Sequence, residues 1–499
     1  MDDQTLKKLT DIGIALSRAE DREALLRVIL DAAIDLTHAE GGTLYLLESD
    51  SLHFHMLRND ILKLGKEDIP TDIEGIPLYQ VDGSPNKSAI MAIALTSHNS
   101  INIEDVYTEK RYELRAVKHF DEAFNYKTTS VLAVPMTNHE NDLIGGFQLI
   151  NARDVKGDVI PFNRHAQDIV ESLASQAAIV LTQQALLESH KDLFDAFIRL
   201  IAIAIDEKSA YTSRHCQRVP IISLKIADAL NKETSGTFAD FEFTAEQMHE
   251  LKIAAWMHDC GKLTTPEYVV DKATKLETIY DRIKVLEERY QILYLDAKLK
   301  FQSKKDSTSD DESEYHLYLK QLSHDLSFLQ RMNQGGEFLT EENHENLQRI
   351  AASYFWEDAA GTRHPWVGED ELKNLSIERG TLTHEERLII NNHAAVSLKM
   401  LNELPFPKGL RNVPDIAGSH HEAINGQGYP RGLKGGELSI QARIVAIADV
   451  FEALTAADRP YKSAKPIDEV LSIMNKMVEN GHLDSEIVNF FIDKQLYNA

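Results

Sequence analysis

Between residues 25 and 36 the apolar Leu25, Val28, Ile29, Ala32, Ala33 and Leu36 recur at steps of three and four, and this spacing predicts a helix within residues 1–40. GGTLYLL at 41–47 then switches to strand composition. A second strand pair reads TSVLAVPM (129–136) and LIGGFQLIN (143–151), joined by the polar turn TNHEND. Helix, strand, a helical middle, two strands and a long helix predict an α+β domain. From about Phe162 to Ala204 the pattern is nearly continuous helix, with Ile169, Leu173, Ala177, Val180 and Leu181 along one face. The remainder of the chain reads as all helix and loop.

Within that remainder, residues 275–375 look inserted. Leu276, Ile279, Ile283, Leu286, Tyr290 and Leu293 alternate steps of three and four, as do Leu319, Leu322, Leu326 and Leu329. The stretch between them contains SKKDSTSDDESE (303–314), which has no apolar residue. Two antiparallel helices with a charged, mobile tip are expected. Beyond them, GEDELKNLSIERGTLTHEE returns to loop composition.

A chain of 499 residues is too long for one core and predicts several domains. With 53 basic against 79 acidic side chains the formal net charge is -26, which excludes the cationic footprint of a nucleic-acid binder. A phosphorylated substrate would have to be held by metal ions or a few local cations. Cys216 and Cys260 are the only cysteines, too few for a disulfide framework, so a reducing cytoplasmic location is expected. The opening MDDQTLKKLTDIG has no apolar core behind its charges and does not read as a signal peptide. No apolar run approaches the roughly 20 residues of a membrane span, so no membrane association is expected.

The informative positions are ionisable groups placed where packing alone favours hydrocarbon. LKIAAWMHDCGK (251–262) is largely apolar up to His258 and Asp259, and ARIVAIADVFEALTAA (442–457) carries Asp449 at its centre. A helix apolar all round is buried, and a carboxylate there needs a cation. His393 shares its predicted face with Ile389, Ile390, Val396 and Met400, and His215 sits above Val219 and Ile222. SHHEAINGQGYP (419–430) adds adjacent His420 and His421, which diverge by about 100° if helical. Any one of the 20 histidines is more simply a core or surface residue, but the set is harder to explain that way. Imidazoles with carboxylates suit first-row transition metals, and seven such groups suit two ions sharing a carboxylate.

Two resemblances follow. NYKTTSVLAVPM followed by IGGFQLINARD resembles a GAF sensory domain, covering about residues 1–185, with 163–204 as connecting helix. Such a domain implies an unknown small-molecule ligand, or service as a dimerisation scaffold. Cyclic-nucleotide-binding members often have Asn-Lys after the last strand, whereas Asn151 here is followed by Ala152. HDCGKLTTPEYVV, HAAVSLKMLNELPFP and HHEAINGQGYPRGLKGGELSIQARIVAIADVFEALTAADRPYK together resemble the HD-GYP family of bacterial cyclic di-GMP phosphodiesterases.

The second resemblance implies an all-α HD-type domain over 195–499, with a helical hairpin inserted at 275–375. By position it implies His215, His258, Asp259, His393, His420, His421 and Asp449 as ligands of two divalent transition-metal ions, with Asp259 bridging. Iron is favoured and manganese is the alternative. Lys262 matches the family's active-site lysine, and with Asp259 it is the expected catalytic pair. Lys262, Tyr429, Pro430, Arg459 and Lys462 fall in stretches that contact the dinucleotide. The glutamate that holds a third metal in some members is replaced by Tyr211, so two ions are expected. Cys260 reads as a small core residue. The implied reaction is hydrolysis of cyclic di-GMP to linear pGpG or GMP, regulated by the GAF domain in a homodimer that has signalling partners. The alternatives are a catalytically silent cyclic di-GMP receptor and a phosphodiesterase for another cyclic dinucleotide such as cyclic GMP-AMP.

Overall fold

The chain divides into two units, residues 1–193 and 194–499. The computed structural model describes residues 22–65, 75–208, 214–304, 308–335, 338–456 and 465–498. Tyr211, Arg459 and Lys462 lie outside these residues.

In the first unit α1 (Arg22–Thr37) precedes an antiparallel sheet in the order β3-β2-β1-β6-β5-β4, with β7 pairing β6. The strands are β1 (Ala39–Glu48), β2 (Ser51–Asn59), β3 (Ile76–Pro77), β4 (Ile101–Ile103), β5 (Val131–Thr137), β6 (Leu143–Arg153) and β7 (Val159–Ile160). The helical middle of the sequence reading is corrected here. It contains α2 (Ile90–Ser97) and α3 (Arg115–Phe124), but the polar-looking LHFHMLRN is strand β2. The alternation of a pleated strand explains why β5 reads as unbroken hydrocarbon. Leu132, Val134 and Met136 face one core with α1, while Val131 and Ala133 face a second core with α2.

Asn151 closes this sheet. In a left-handed backbone conformation, its amide donates to Glu40, Tyr126 Oη and the Lys127 carbonyl, and its oxygen accepts the Thr129 and Ser130 N–H groups. Every polar atom of this side chain is therefore used within the fold.

A 45-residue helix, α4 (Arg164–Lys208), contributes to both cores: Ile169 through Leu181 in the first unit, and Ile198, Ala202 and Ile205 in the second. The second unit continues with α5 (His215–Asn231), α6 (Ala245–Met257), a 3₁₀ turn at Cys260–Thr264 and α7 (Glu267–Val270). After the insertion come α12 (His384–Asn402), α13 (Val413–Gly418), α14 (Ile440–Thr455), α15 (Ile467–Glu479) and α16 (Ser485–Asp493). Thr244 and Thr383 start α6 and α12 with capping boxes, and the Ser439 hydroxyl caps α14. Pro220 lies buried inside α5. No described helix is long and apolar enough to cross a membrane.

The insertion is larger than a hairpin. Helices α8 (Ile283–Ser303) and α9 (Ser309–Met332) pack together as expected. To them are added α10 (Glu341–Ser353), a β-hairpin of β8 (Phe355–Glu357) and β9 (Arg363–Pro365), and α11 (Glu369–Leu375). GEDELKNL, read as loop, is thus mostly helix. Ile279 precedes α8 and is almost fully exposed, so it is not part of the seam. The second half of the charged run is helical from Ser309 onward, because Thr308 caps α9 and Lys304 pairs with Asp311 at 2.6 Å. The insertion has its own core, centred on fully buried Trp366, whose indole donates to the Leu286 carbonyl at 2.9 Å.

Buried Asp325 fastens α9 to the later elements, accepting two bonds from Arg349 (2.6 and 3.0 Å) and one from Tyr354 Oη (2.8 Å). Asp325→Ala leaves these donors short of an acceptor and is expected to cost roughly 1–3 kcal/mol within the insertion. Hydrogen exchange should speed up across residues 309–353 while metal content stays at the wild-type level. Unchanged exchange there would contradict the role given to Asp325.

Candidate metal centre

All seven predicted ligands converge in the second unit. The end of α6 supplies His258 and Asp259, α5 begins with His215, α12 carries His393, the segment after α13 carries His420 and His421, and α14 carries Asp449. His215, His258 and Asp449 present ligand atoms within 4.8 Å of one another, as do His393, His420 and His421. A third such group, His258, Asp259 and His420, links the first two.

Asp259 divides its carboxylate between these halves. Its Oδ2 is 3.3 Å from His215 Nε2 and 3.2 Å from His258 Nε2. Its Oδ1 is 3.2 Å from His393 Nε2 and 3.9 Å from His420 Nε2. Asp449 Oδ1 lies 3.2 Å from His215 Nε2.

The helices also orient the imidazoles. Nδ1 of His258, His393 and His420 each meets the carbonyl three residues earlier, at 2.8 Å (Ala255), 2.6 Å (Ile390) and 2.6 Å (Ala417). A carbonyl only accepts, so Nδ1 carries the proton and Nε2 turns a lone pair inward. The facing Nε2 atoms approach to 3.2 Å for His215 and His258 and to 3.3 Å for His393 and His420. At His393 and His420, whose Nδ1 atoms both carry the proton, lone pairs so close repel unless a cation lies between them. Asp259 Oδ1, buried, accepts no hydrogen bond among the described residues. On both counts the donor set fits divalent metal ions.

The protonation states favour ligation. Burial pushes His420 well below the ordinary imidazole value, and pushes His421 down to about 3 against the pull of Asp449. Burial opposes ionisation of Asp259 and Asp449. Lys262 and His258 override it for Asp259, and His215 does so for Asp449, holding both well below the carboxylate range. Burial likewise opposes a charge on His215, but Asp259, Asp449 and Glu452 raise it strongly. The proton there occupies the place that a metal dication would take. Lys262 Nζ is 2.6 Å from Asp259 Oδ2. Burial pushes the Cys260 thiol up to about 11, which makes it a core thiol as the sequence suggested.

Several residues of this centre escaped the sequence reading. Glu452, buried one turn after Asp449, contacts His215 Nδ1 through one oxygen and accepts from Arg218 Nε at 2.6 Å through the other. Its signal was visible, a second acid in the same apolar helix. Ser397 Oγ accepts the Gly261 N–H at 2.8 Å and donates to the His258 carbonyl at 2.9 Å. This fastens α12 to the Asp259 turn. A Cβ at Gly261 would come within 2.0 Å of the His393 carbonyl, so only glycine permits this approach. The buried face of α12 is His393, Ala394, Ser397 and Leu401; Ile389 and Met400, expected beside His393, are exposed.

In the loop after His421, Gly426 takes a left-handed φ of 80°. Gly428 is needed for a different reason: a Cβ there would lie 2.3 Å from the Ala423 nitrogen. Buried Glu422 braces the loop by accepting the N–H groups of Arg431 (2.7 Å) and Leu433 (2.9 Å). The Tyr429 ring lies 4.9 Å from the His421 ring, tilted by 34°, and half-buried Pro430 follows it.

Two parts of the chain match known families. Residues 369–487 match the HD domain family and residues 21–181 the GAF domain family. Over 113 residues the chain is 42% identical to the 3′3′-cGAMP-specific phosphodiesterase 1 of Vibrio cholerae, covering 23% of this chain and 25% of that protein. Over 119 residues it is 38% identical to a cyclic di-GMP phosphodiesterase of Thermotoga maritima, covering 24% and 31%. The matched stretch thus spans about a quarter to a third of those relatives' lengths. The solved GAF domain/HD domain protein from Geobacter sulfurreducens aligns with 34% of this chain and 98% of its own, at 18% identity and a TM-score of 0.27. The chain is a GAF–HD protein, and its HD region is homologous to HD-GYP-type phosphodiesterases of cyclic di-GMP and 3′3′-cGAMP.

Proposed function

We propose that this chain hydrolyses cyclic di-GMP to linear pGpG or GMP at a centre of two divalent ions. His215, His258 and Asp449 would hold one ion, His393, His420 and His421 the other, with Asp259 shared. The supporting observation is the division of the Asp259 carboxylate between the two sets of imidazoles. Five imidazoles and two carboxylates suit iron, with manganese as the alternative. Such ions supply Lewis acidity to phosphoryl oxygens and acidify water for in-line attack on phosphorus. The chain's own part is placement. Lys262, held by Asp259, offers an ammonium to a phosphoryl oxygen, and Glu452 fixes the ring of His215. Tyr429 offers an aromatic surface to a purine beside His421, with Pro430 shaping the loop. Arg459 and Lys462 are assigned to the substrate's phosphates or guanine edges.

A second reading, 3′3′-cGAMP as substrate, is favoured by two relatives named as specific for it, at 42% and 38% identity. Regulation is assigned to the GAF unit. A cavity of about 240 Å³ there, lined by Tyr45, Phe54, Met91, Phe120 and Gln148, suits a small, largely apolar ligand. A cytoplasmic homodimer with signalling partners completes the proposal.

Anaerobically purified protein is expected to contain two ions per chain and to lose hydrolysis on chelation. Product separation with cyclic di-GMP and 3′3′-cGAMP in parallel identifies both substrate and end product. Turnover of neither would reject the reading. His421→Ala and Asp449→Ala are each expected to lose more activity than the roughly 10–100-fold typical of an outer-shell partner. Glu452→Gln should fall within that range for metal affinity. Wild-type rates in either ligand variant would show the centre to be misassigned.

Tyr429→Ala should raise the KM for the cyclic dinucleotide by about 5- to 150-fold, the cost of losing one stacked base. Hydrolysis of a small chromogenic phosphodiester without purines should be little changed. Because the ring also lies on His421, metal content is measured alongside. Equal losses on both substrates would make Tyr429 a support for the metal ligand instead.

A further inference from the structure

The last turn of α4 grips two segments that carry metal-site residues, and the hydrolysis proposal leaves this grip unused. Helix α5 begins with His215, yet its N-cap, Arg214, makes no side-chain capping bond. The cap comes from α4: Asp206, 4% exposed, accepts the Cys216 N–H at 3.1 Å. Two residues later, Lys208 Nζ donates to the carbonyls of Lys262 (3.1 Å), Leu263 (2.6 Å) and Thr265 (2.8 Å). An ammonium has three protons, and all three are committed to this one turn. The signs match the ends they serve. A carboxylate meets the amide end of α5, and a cation meets the carbonyl end of the turn at Cys260–Thr264. Positions two apart on a helix diverge by about 200°, so each side chain reaches a different element.

These elements carry facing members of the centre. Asp206 seats the helix whose first residue is His215, and Lys208 seats the turn that contains Lys262 and follows Asp259. The contact they bring together is His215 Nε2 to Asp259 Oδ2, at 3.3 Å.

We propose that Asp206 and Lys208 are positioning residues, through which the end of α4 sets the spacing between His215 and the Asp259–Lys262 turn. This rests on the two-ion hydrolysis reading, because it assigns a consequence to that spacing. Neither side chain is a proposed ligand, and neither is assigned a contact with substrate.

The test uses the full chain loaded with manganese and compares wild type, Lys208→Met, Lys208→Arg and Asp206→Ala. Lys208→Met and Asp206→Ala are expected to lower kcat by about 10- to 100-fold, the effect of a misplacement on the order of 1 Å. KM should change by less than about twofold, because uniform substrate binding is untouched. Manganese content should stay at two per chain, and the spin-coupled Mn(II) pair should change its electron paramagnetic resonance spectrum. Lys208→Arg keeps a cation able to donate to the same carbonyls and should recover most of kcat and the wild-type spectrum. Wild-type kcat and spectrum in Lys208→Met would overturn the proposal. So would a loss that disappears when rates are expressed per bound manganese pair, since Lys208 would then only stabilise the fold. If the wild type turns over no cyclic dinucleotide, the hydrolysis reading fails, and the spectra alone still decide whether these residues set the metal spacing.

Discussion

The second unit is organised around one buried carboxylate. Asp259 is 1% exposed, and its two oxygens face different pairs of imidazoles. An isolated carboxylate in such a place costs several kcal/mol or takes up a proton. Here Lys262 and the surrounding imidazoles keep it ionised, and Oδ1 accepts no hydrogen bond among the described residues. Five segments, from α5 to α14, must end or pass close to this group. Many features of the fold follow from that requirement, among them the glycine at 261, Ser397 between the halves and the apolar burial of α14.

Short-range helical geometry does much of the orienting. Three imidazoles use the carbonyl three residues earlier on their own segment, so the ring orientation comes with the local backbone. His215, the first residue of its described helix, differs in the partner of its Nδ1. Glu452 supplies the partner instead, from another helix, and Arg218 neutralises its second oxygen. His215 is thus held by contacts distant in sequence, from Glu452 at Nδ1 and from Asp206 at the adjacent residue's N–H.

The cluster of candidate ligands was legible because a charged or imidazole group in an apolar helix is an anomaly that spacing exposes, as at Asp449 and His258. The GAF sheet was legible where both faces are buried, as in β5, and illegible in β2, whose histidines and arginine hide its alternation. The insertion shows the same limit. Its two long helices announce themselves by period, whereas α11 and the β-hairpin are too short to show one. They owe their form to packing around Trp366. At α12 the periodic reading failed for a physical reason: the helix buries small residues, Ala394 and Ser397, to approach the Asp259 turn, and leaves Ile389 and Met400 outside. Close approach selects small side chains, and a search for large apolar ones passes over them.

Electrostatics ties the centre to the rest of the chain. The chain carries a net charge of -26, and within the site Asp259, Asp449 and Glu452 face Lys262, Arg218 and a His215 whose protonation they favour. Two divalent ions bound there would make the local sign positive, so attraction for a phosphodiester would exist only where the candidate ligands converge. Screening sharpens the contrast. Charges more than about 8 Å away through solvent are largely damped at physiological salt, whereas buried pairs are not. So acidic a chain disfavours extended nucleic acid, which needs a broad cationic track. A compact phosphodiester that set its phosphates directly on the converging groups would need no such track.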